Sequence, residues 1–339
     1  MLELPDVTLV CADTLNHALA ARAIARCCER IRYGSALFLT NALPPGIVLP
    51  PGVETREIAP LASREAYSTL MLKGLARHVE SSHALVVQWD GYVVNPDAWT
   101  GEFLACDYIG APWPWGPEGS RVGNGGFSLR SRRLLDALAD PRVVLQGNED
   151  ETISVHQRGW LEARHGLRFA SETLASRFSF EVAYPVGRPF GFHGLFNFCR
   201  TVSEDEIAAL APAFSDAIAR SPQMLSLMRN CAAMGLSRAA IALARRILAA
   251  EAGHPGVDVP VAQGYENCHS SRPVLRLREA LRMRRIGRGR PGQARLPRPR
   301  RYTPREGPLP PHPRHRRCGH ARCPRPAGCA RSSSRSGRQ

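Results

Sequence analysis

Residues 7–40 read VTLVCADTLNHALAARAIARCCERIRYGSALFLT, and this segment decides the fold class of the chain. The apolar run at residues 7–12 is typical of a buried strand, and alanine, leucine and isoleucine then recur at helical spacing over residues 16–32. A second apolar run follows at residues 36–40. A strand, a helix and a second strand in this order predict a parallel sheet covered by helices, in which ligands bind at the carboxyl ends of the strands.

The same alternation continues along the chain. Residues 53–58 and 83–88 favour strands, and residues 63–80 favour a helix with Ser63 as its N-cap. We therefore predict an α/β domain over residues 1–202, with a mostly parallel sheet flanked by helices.

A helical appendix is predicted over residues 203–256, where the apolar residues keep a helical period. Within it, residues 224–255 resemble one tetratricopeptide-type helix pair. A single pair of this kind cannot bury its own apolar face, so a protein partner is expected there.

The basic charge of the chain is concentrated at one end. From residue 272 onward there are 21 arginines and two acidic residues, whereas residues 1–271 carry 24 basic and 28 acidic side chains. After about Val274 the chain has almost none of the aliphatic residues that a core requires, and we predict a disordered basic tail over residues 257–339. A nucleic-acid-binding surface is thus excluded for the folded part, and non-specific attachment through the tail stays an alternative.

The ten cysteines form no regular framework, which favours reduced thiols and a cytoplasmic location. No basic leader begins the sequence, and no apolar run approaches the roughly 20 residues of a membrane span. We predict no membrane span.

Two segments offer ligands for a cation. VVQWDGY at residues 86–92 places Asp90 directly after a predicted strand, and FGFHGLFNF at residues 190–198 places His193 between glycines. A carboxylate oxygen can hold a hard divalent cation that neutralises a diphosphate leaving group. The alternatives are an acid that caps a turn and a structural histidine.

Two further segments are candidates for binding and catalysis. VGNGGFSLR at residues 122–130 lets the backbone approach a ligand closely, although Asn124-Gly125 is also typical of a hairpin turn. It follows DYIGAPWPW at residues 107–115, whose tryptophans either stack on a sugar or belong to the core. GNEDET at residues 147–152 offers a general base, or acids that offset a helix dipole.

In this order and spacing, the four segments resemble a family of uncharacterised bacterial proteins classed as GT-A glycosyltransferases, over about residues 7–200. The glycine-rich segment is the most specific part of the resemblance. The layout is more distantly similar to that of inverting galactosyltransferases. The resemblance implies a GT-A-like (Rossmann-like) fold and hexosyl transfer from a nucleotide-sugar, a UDP-sugar first of all, to a glycan or another hydroxyl acceptor. It also implies a divalent cation, Mn²⁺ or Mg²⁺.

The resemblance also implies roles for individual residues. Asp90 and His193 would bind the metal, and Asp150 or Glu149 would be the general base. Gly125 and Gly126 would line the donor or acceptor sugar, and Trp113 or Trp115 would stack on it. Asp13, which follows the first strand, is a further candidate for the nucleotide and Lys73, as the only lysine, for phosphate; the alternative for both is a structural role. The galactosyltransferases usually carry Asp-x-Asp, whereas here the second acid is replaced by Tyr92. Retention of anomeric configuration stays open, and the rival function is a non-catalytic carbohydrate or nucleotide-sugar binding module.

Overall fold

Six strands form one mixed sheet in the computed structural model, which describes residues 1–116 and 119–253. They are β1 (Leu2–Ala12), β2 (Ile31–Thr40), β3 (Val53–Glu57), β4 (His83–Val87), β5 (Tyr108–Ile109) and β6 (Phe127–Ser131). Their order is β3-β2-β1-β4-β6-β5. The first four strands run parallel, and β6 is antiparallel to both of its neighbours. The prediction of a mostly parallel α/β sheet is confirmed.

The centre of the sheet is apolar on both faces. Leu9 of β1 lies between Ala36 of β2 and Leu85 of β4, and all three side chains are buried. Continuous apolar strands of this kind require helices on both faces of the sheet. A separate pair of two-residue parallel strands, β7 (Ser179–Phe180) and β8 (Gly191–Phe192), lies beyond the main sheet in sequence.

Eleven α-helices lie in the described residues. They are α1 (His17–Cys28), α2 (Arg64–Thr69), α3 (Arg132–Leu138), α4 (Glu149–Glu151), α5 (Arg158–His165), α6 (Glu172–Phe178), α7 (Phe198–Thr201), α8 (Glu204–Leu210), α9 (Asp216–Ala219), α10 (Pro222–Ala233) and α11 (Ser237–Ala252). The Oγ of Ser63 accepts a hydrogen bond from Ala66 N, so the predicted N-cap of α2 is present. No described helix is long and apolar enough to cross a membrane.

Helices α8–α11 share the core of the sheet domain. Trp89, which follows β4, packs its ring 6.2 Å from that of Phe214, and Glu206 of α8 forms a 2.7 Å ion pair with Arg22 of α1. The helices predicted after residue 203 are therefore joined to the sheet by apolar and ionic contacts. The predicted tail, residues 257–339, lies outside the described residues.

The strand order marks one edge of the sheet for ligand binding. From β1, the chain adds β2 and β3 on one side and β4 on the other, so the order reverses between β1 and β4. Open α/β sheets bind ligands beside the carboxyl ends of strands at such a switch point. Because β6 is antiparallel to β4, its first residue, Phe127, pairs with Val87 at this same edge.

Candidate functional site

Asp90 lies in a tight turn that closes β4 at the carboxyl edge. Gln88 and Gly91 exchange two backbone hydrogen bonds of 3.1–3.2 Å, which leaves Trp89 and Asp90 at the corner of the turn. The carboxylate of Asp90 also accepts a 3.1 Å hydrogen bond from Leu195 N. Asp90 is therefore fixed to both the end of β4 and the segment that follows β8.

His193 and Glu181 are brought together by the pairing of β7 with β8. Each residue follows the last residue of its strand, and parallel strands end at the same edge. His193 N donates to Phe180 O at 3.0 Å, and Asn197 Nδ2 donates to the carbonyls of Glu181 and His193. Glu181 Oε1 consequently lies 3.0 Å from Nδ1 of His193.

The two ring nitrogens of His193 face different partners. Nδ1 lies near Glu181 and 2.9 Å from Nδ2 of Asn124, while Nε2 lies 3.1 Å from Oε1 of Gln88 and 3.5 Å from Oδ1 of Asp90. Burial lowers the pKa of His193, but the Asp90 and Glu181 carboxylates outweigh it and hold that pKa well above 6.5. The structure thus joins the two predicted metal ligands on the Nε2 side of the ring.

Two glycines leave room for the imidazole of His193. A Cβ at residue 91 would lie 2.7 Å from Cδ2 of the ring, and one at residue 126 would overlap the ring directly. Since His193 has hydrogen-bonding groups near both ring nitrogens, it cannot turn aside without breaking them.

If His193 is a metal ligand as predicted, Gly126→Ala, which displaces its ring, should weaken Mn²⁺ binding by about 10- to 100-fold, as loss of ligand-orienting contacts does. Isothermal titration with Mn²⁺ measures this. Gly101→Ala is the control, because a Cβ at residue 101 meets nothing within 4 Å. Equal Mn²⁺ affinity in the two variants would contradict the assignment of His193.

The glycine-rich loop connects this centre to the predicted base. Asn124 adopts a left-handed φ of 63° and accepts a hydrogen bond from Phe127 N, so the loop turns sharply before β6. Gly125 N then donates to Oδ2 of Asp150 at 3.0 Å. Asn124 and Gly126 contact His193, whereas Gly125 contacts Asp150. One short loop therefore contacts both groups.

The carboxyl group of Asp150 has a raised pKa. Burial first, and the negative charges of Glu149 and Glu181 next, raise the pKa of Asp150 from 3.8 to about 7, against the lowering effect of hydrogen bonds from the backbone N–H groups of Gly125 and Glu151. A base works best with a pKa near the working pH.

Glu149 is occupied elsewhere. Its Oε1 lies 3.5 Å from Nη2 of Arg130, and its Oε2 accepts a 3.0 Å hydrogen bond from Ser68. The side chains of Arg130 and Glu149 are 0% and 6% exposed, so this is a buried ion pair. Of the two acids that the sequence offers as base, Asp150 accepts hydrogen bonds from backbone N–H groups, whereas Glu149 is paired with a guanidinium group.

The two tryptophans occupy different environments on the hairpin that precedes the glycine-rich loop. Trp113 is 6% exposed and packs on Gly123, as the core alternative predicts. Trp115 is 55% exposed and stacks on Trp113 with ring centroids 5.9 Å apart. Only the ring of Trp115 offers a substantial open surface.

The remaining predicted residues lie in other local structures. Asp13 follows β1 at the carboxyl edge and accepts hydrogen bonds from Leu15 N and Asn16 N. Lys73 donates to the carbonyls of Leu138 and Asp140, so its ammonium group is engaged at the end of α3. The side chain of Tyr92 is buried and accepts a hydrogen bond from Arg22, so position 92 faces the core rather than a metal site.

Several residues at the site were not predicted. They are Gln88, Asn124, Arg130, Glu181 and Asn197. Gln88, Asn124, Arg130 and Asn197 lie inside the quoted motifs, so their polar side chains in apolar or glycine-rich runs were an available signal. Glu181 is a single acid after Phe180 and carries no such signal.

The donor set fits a divalent cation only in part. Carboxylate, amide and imidazole groups of Asp90, Gln88 and His193 converge, and a carboxylate beside the other ring nitrogen, here Glu181 beside Nδ1, commonly orients a metal-binding histidine. Within residues 1–116 and 119–253, however, no three His, Cys, Asp or Glu side chains are arranged as a metal site. A cation bound here would take its other ligands from water or phosphate.

The family described as "Protein of unknown function (DUF5672)" matches residues 52–193, which is less than half of the chain. The matched segment begins before β3 and ends at His193, so it contains Asp90, the glycine-rich loop and Asp150. No curated protein matches the chain.

Proposed function

We propose that this protein is a glycosyltransferase that moves a sugar from a nucleotide-sugar, a UDP-sugar first of all, to an acceptor hydroxyl. The observation that carries the proposal is that one glycine-rich loop contacts both His193, which lies beside Asp90, and a partly buried carboxylate, Asp150, whose pKa is about 7. This arrangement lies at the carboxyl edge of an open α/β sheet, beside its switch point.

A divalent cation would be held by Asp90 and His193, with Gln88 beside them, and when bound it would neutralise charge on the departing diphosphate. Glu181 keeps the imidazole of His193 oriented, and Asn197 fixes the backbone of both residues.

In the transfer step, the acceptor oxygen forms a bond to the anomeric carbon and gives its proton to Asp150. The electron pair of the breaking carbon–oxygen bond leaves with the nucleoside diphosphate. Attack opposite the leaving group inverts the anomeric carbon, which is the outcome we propose. The protein contributes mainly position and a preorganised charge distribution.

The proposal predicts that UDP with Mn²⁺ raises the melting temperature of the protein. A ligand at about 100 times its Kd adds about 2.7 kcal/mol to the free energy of unfolding, because it binds only the native state. Differential scanning fluorimetry with UDP, GDP and CMP, each with and without Mn²⁺, measures the shift.

Asp90→Asn should remove the Mn²⁺-dependent part of the shift, and Asp97→Asn, which changes an exposed acid paired with Arg30, should retain it. If no nucleoside phosphate stabilises the wild-type protein under any of these conditions, the transferase proposal is wrong.

A further inference from the structure

The loop between β7 and β8 carries an exposed aromatic ring close to the candidate site. Tyr184 is 79% exposed, and it lies three residues beyond Glu181, whose carboxylate contacts His193. Three residues span at most about 10 Å of extended chain, so the Tyr184 backbone cannot be far from that centre.

A polar connection also ties Tyr184 to the site. The guanidinium carbon of Arg200 lies 4.8 Å from the centroid of the Tyr184 ring, and Arg200 Nη1 donates to Oδ1 of Asn197. Asn197 in turn donates to the carbonyls of Glu181 and His193. The ring is therefore positioned by a cation–π contact with a residue of the site's own scaffold.

The chemistry of this pair fits a sugar ring. The apolar C–H face of a pyranose packs on the electron-rich face of an aromatic ring, and a guanidinium beside it can donate to hydroxyl groups. Val182 and Val186 in the same loop are also exposed. Three side chains offer far less than the roughly 1,000 Å² that a stable protein interface requires, which argues against a protein partner.

We propose that Tyr184 and Arg200 form a carbohydrate-binding subsite that takes a pyranose ring of the acceptor. That the pyranose belongs to an acceptor rests on the proposed transferase function, but the binding of a pyranose does not. Because Tyr184 is three residues from Glu181, whose carboxylate contacts His193, a sugar held on Tyr184 would lie near the His193 centre.

Saturation-transfer NMR tests the subsite with three probes: methyl β-D-glucopyranoside, methyl β-D-galactopyranoside and methyl α-D-mannopyranoside. At least one of these glycosides should receive saturation from the wild-type protein. Tyr184→Ala should weaken that binding by about tenfold, which corresponds to about 1.4 kcal/mol and matches the loss of an aromatic contact.

Two matched variants separate stacking from other effects. Tyr184→Phe keeps the ring and should retain binding, and Val186→Ala, which trims a 75% exposed side chain in the same loop, should also retain it. Because Tyr184 is exposed, its substitution should leave the melting temperature unchanged.

The proposal is overturned if the wild-type protein binds none of the three glycosides, or if Tyr184→Ala binds as well as wild type. A change from dimer to monomer in sedimentation equilibrium, with sugar binding unchanged in Tyr184→Ala, would also overturn it, because Tyr184 would then belong to a protein interface. Sugar binding without stabilisation by any nucleotide would support the subsite and contradict the transferase proposal. Stabilisation by a nucleotide without sugar binding would support the transferase proposal and contradict the subsite.

Discussion

Replacing Asp150 with asparagine is expected to lower kcat by about 10²- to 10⁴-fold, which is the usual contribution of a positioned general base. Asparagine keeps the size of the side chain and can still accept the hydrogen bond from Gly125 N, but it cannot take a proton. The measurement is release of UDP from UDP-sugars in the presence of Mn²⁺, where water serves as the acceptor.

The pH dependence of the same reaction follows from the pKa of Asp150, which burial and the charge of Glu149 raise to about 7. A base must be deprotonated, so kcat/KM should rise as the pH increases through about 7 and level off above it. The Asp150→Asn variant should lose this rise.

Deprotonation of Asp150 is expected to raise kcat/KM but to lower the free energy of unfolding. A carboxyl whose pKa is higher in the folded protein stabilises the fold below its unfolded pKa, near 3.8, and this stabilisation is lost as the pH rises through about 7. Asp150→Asn should therefore melt at a higher temperature than wild type at pH 8 and show a smaller advantage at pH 5.

Asp205→Asn is the control for these measurements, since it changes an exposed acid of α8. Asp150→Asn also distinguishes an enzyme from a binding module: the enzyme loses turnover and keeps nucleotide affinity. Wild-type protein that binds UDP but never releases it from a UDP-sugar would favour the module, and full turnover by the variant would exclude Asp150 as the base.

The central strands were predictable because local pattern and tertiary environment agree. Residues 7–12 and 36–40 are apolar except for Thr8 and Thr40, and both segments lie in strands buried on two faces. The antiparallel β6 was not predicted as a strand, because its sequence FSLRS places Arg130 and two serines at buried positions. The burial of Arg130 and Ser131 depends on Glu149 and Asp107, which are distant in sequence.

The site was predictable to the extent that its residues end strands or interrupt them with glycine. Asp90 and His193 lie in such positions, and the fold places them 3.5 Å apart. Glu181 could not be found in the same way, because its position depends on pairing between two strands of two residues each. Lys73 illustrates the converse: it is the only lysine in the chain, yet its ammonium group binds the carbonyls that end a helix.

Replacing Arg130 with methionine should lower the free energy of unfolding by about 3–5 kcal/mol, since it leaves Glu149 as a buried charge without its counterion. Arg130 is fully buried, donates to Ser128 Oγ and to Gly125 O, and lies 5.9 Å from the ring of Tyr108. For a domain of this size the loss corresponds to a fall of roughly 10 °C in melting temperature. Chemical denaturation with urea gives the free energy directly.

The double variant Arg130→Met/Glu149→Leu should recover much of this loss, because a buried ion pair replaced as a whole by apolar groups is often tolerated. Arg238→Met is the matched control: it breaks contacts with Glu204 and Asp205 at the surface, where such pairs contribute about 1 kcal/mol or less. Equal losses in Arg130→Met and Arg238→Met would show that the buried pair contributes no more than a surface pair.

Arg130→Met should also reduce turnover, because Arg130 and Glu149 both contact the Gly125 region on which Asp150 depends. Recovery of stability without recovery of turnover in the double variant would then show that the pair positions the base.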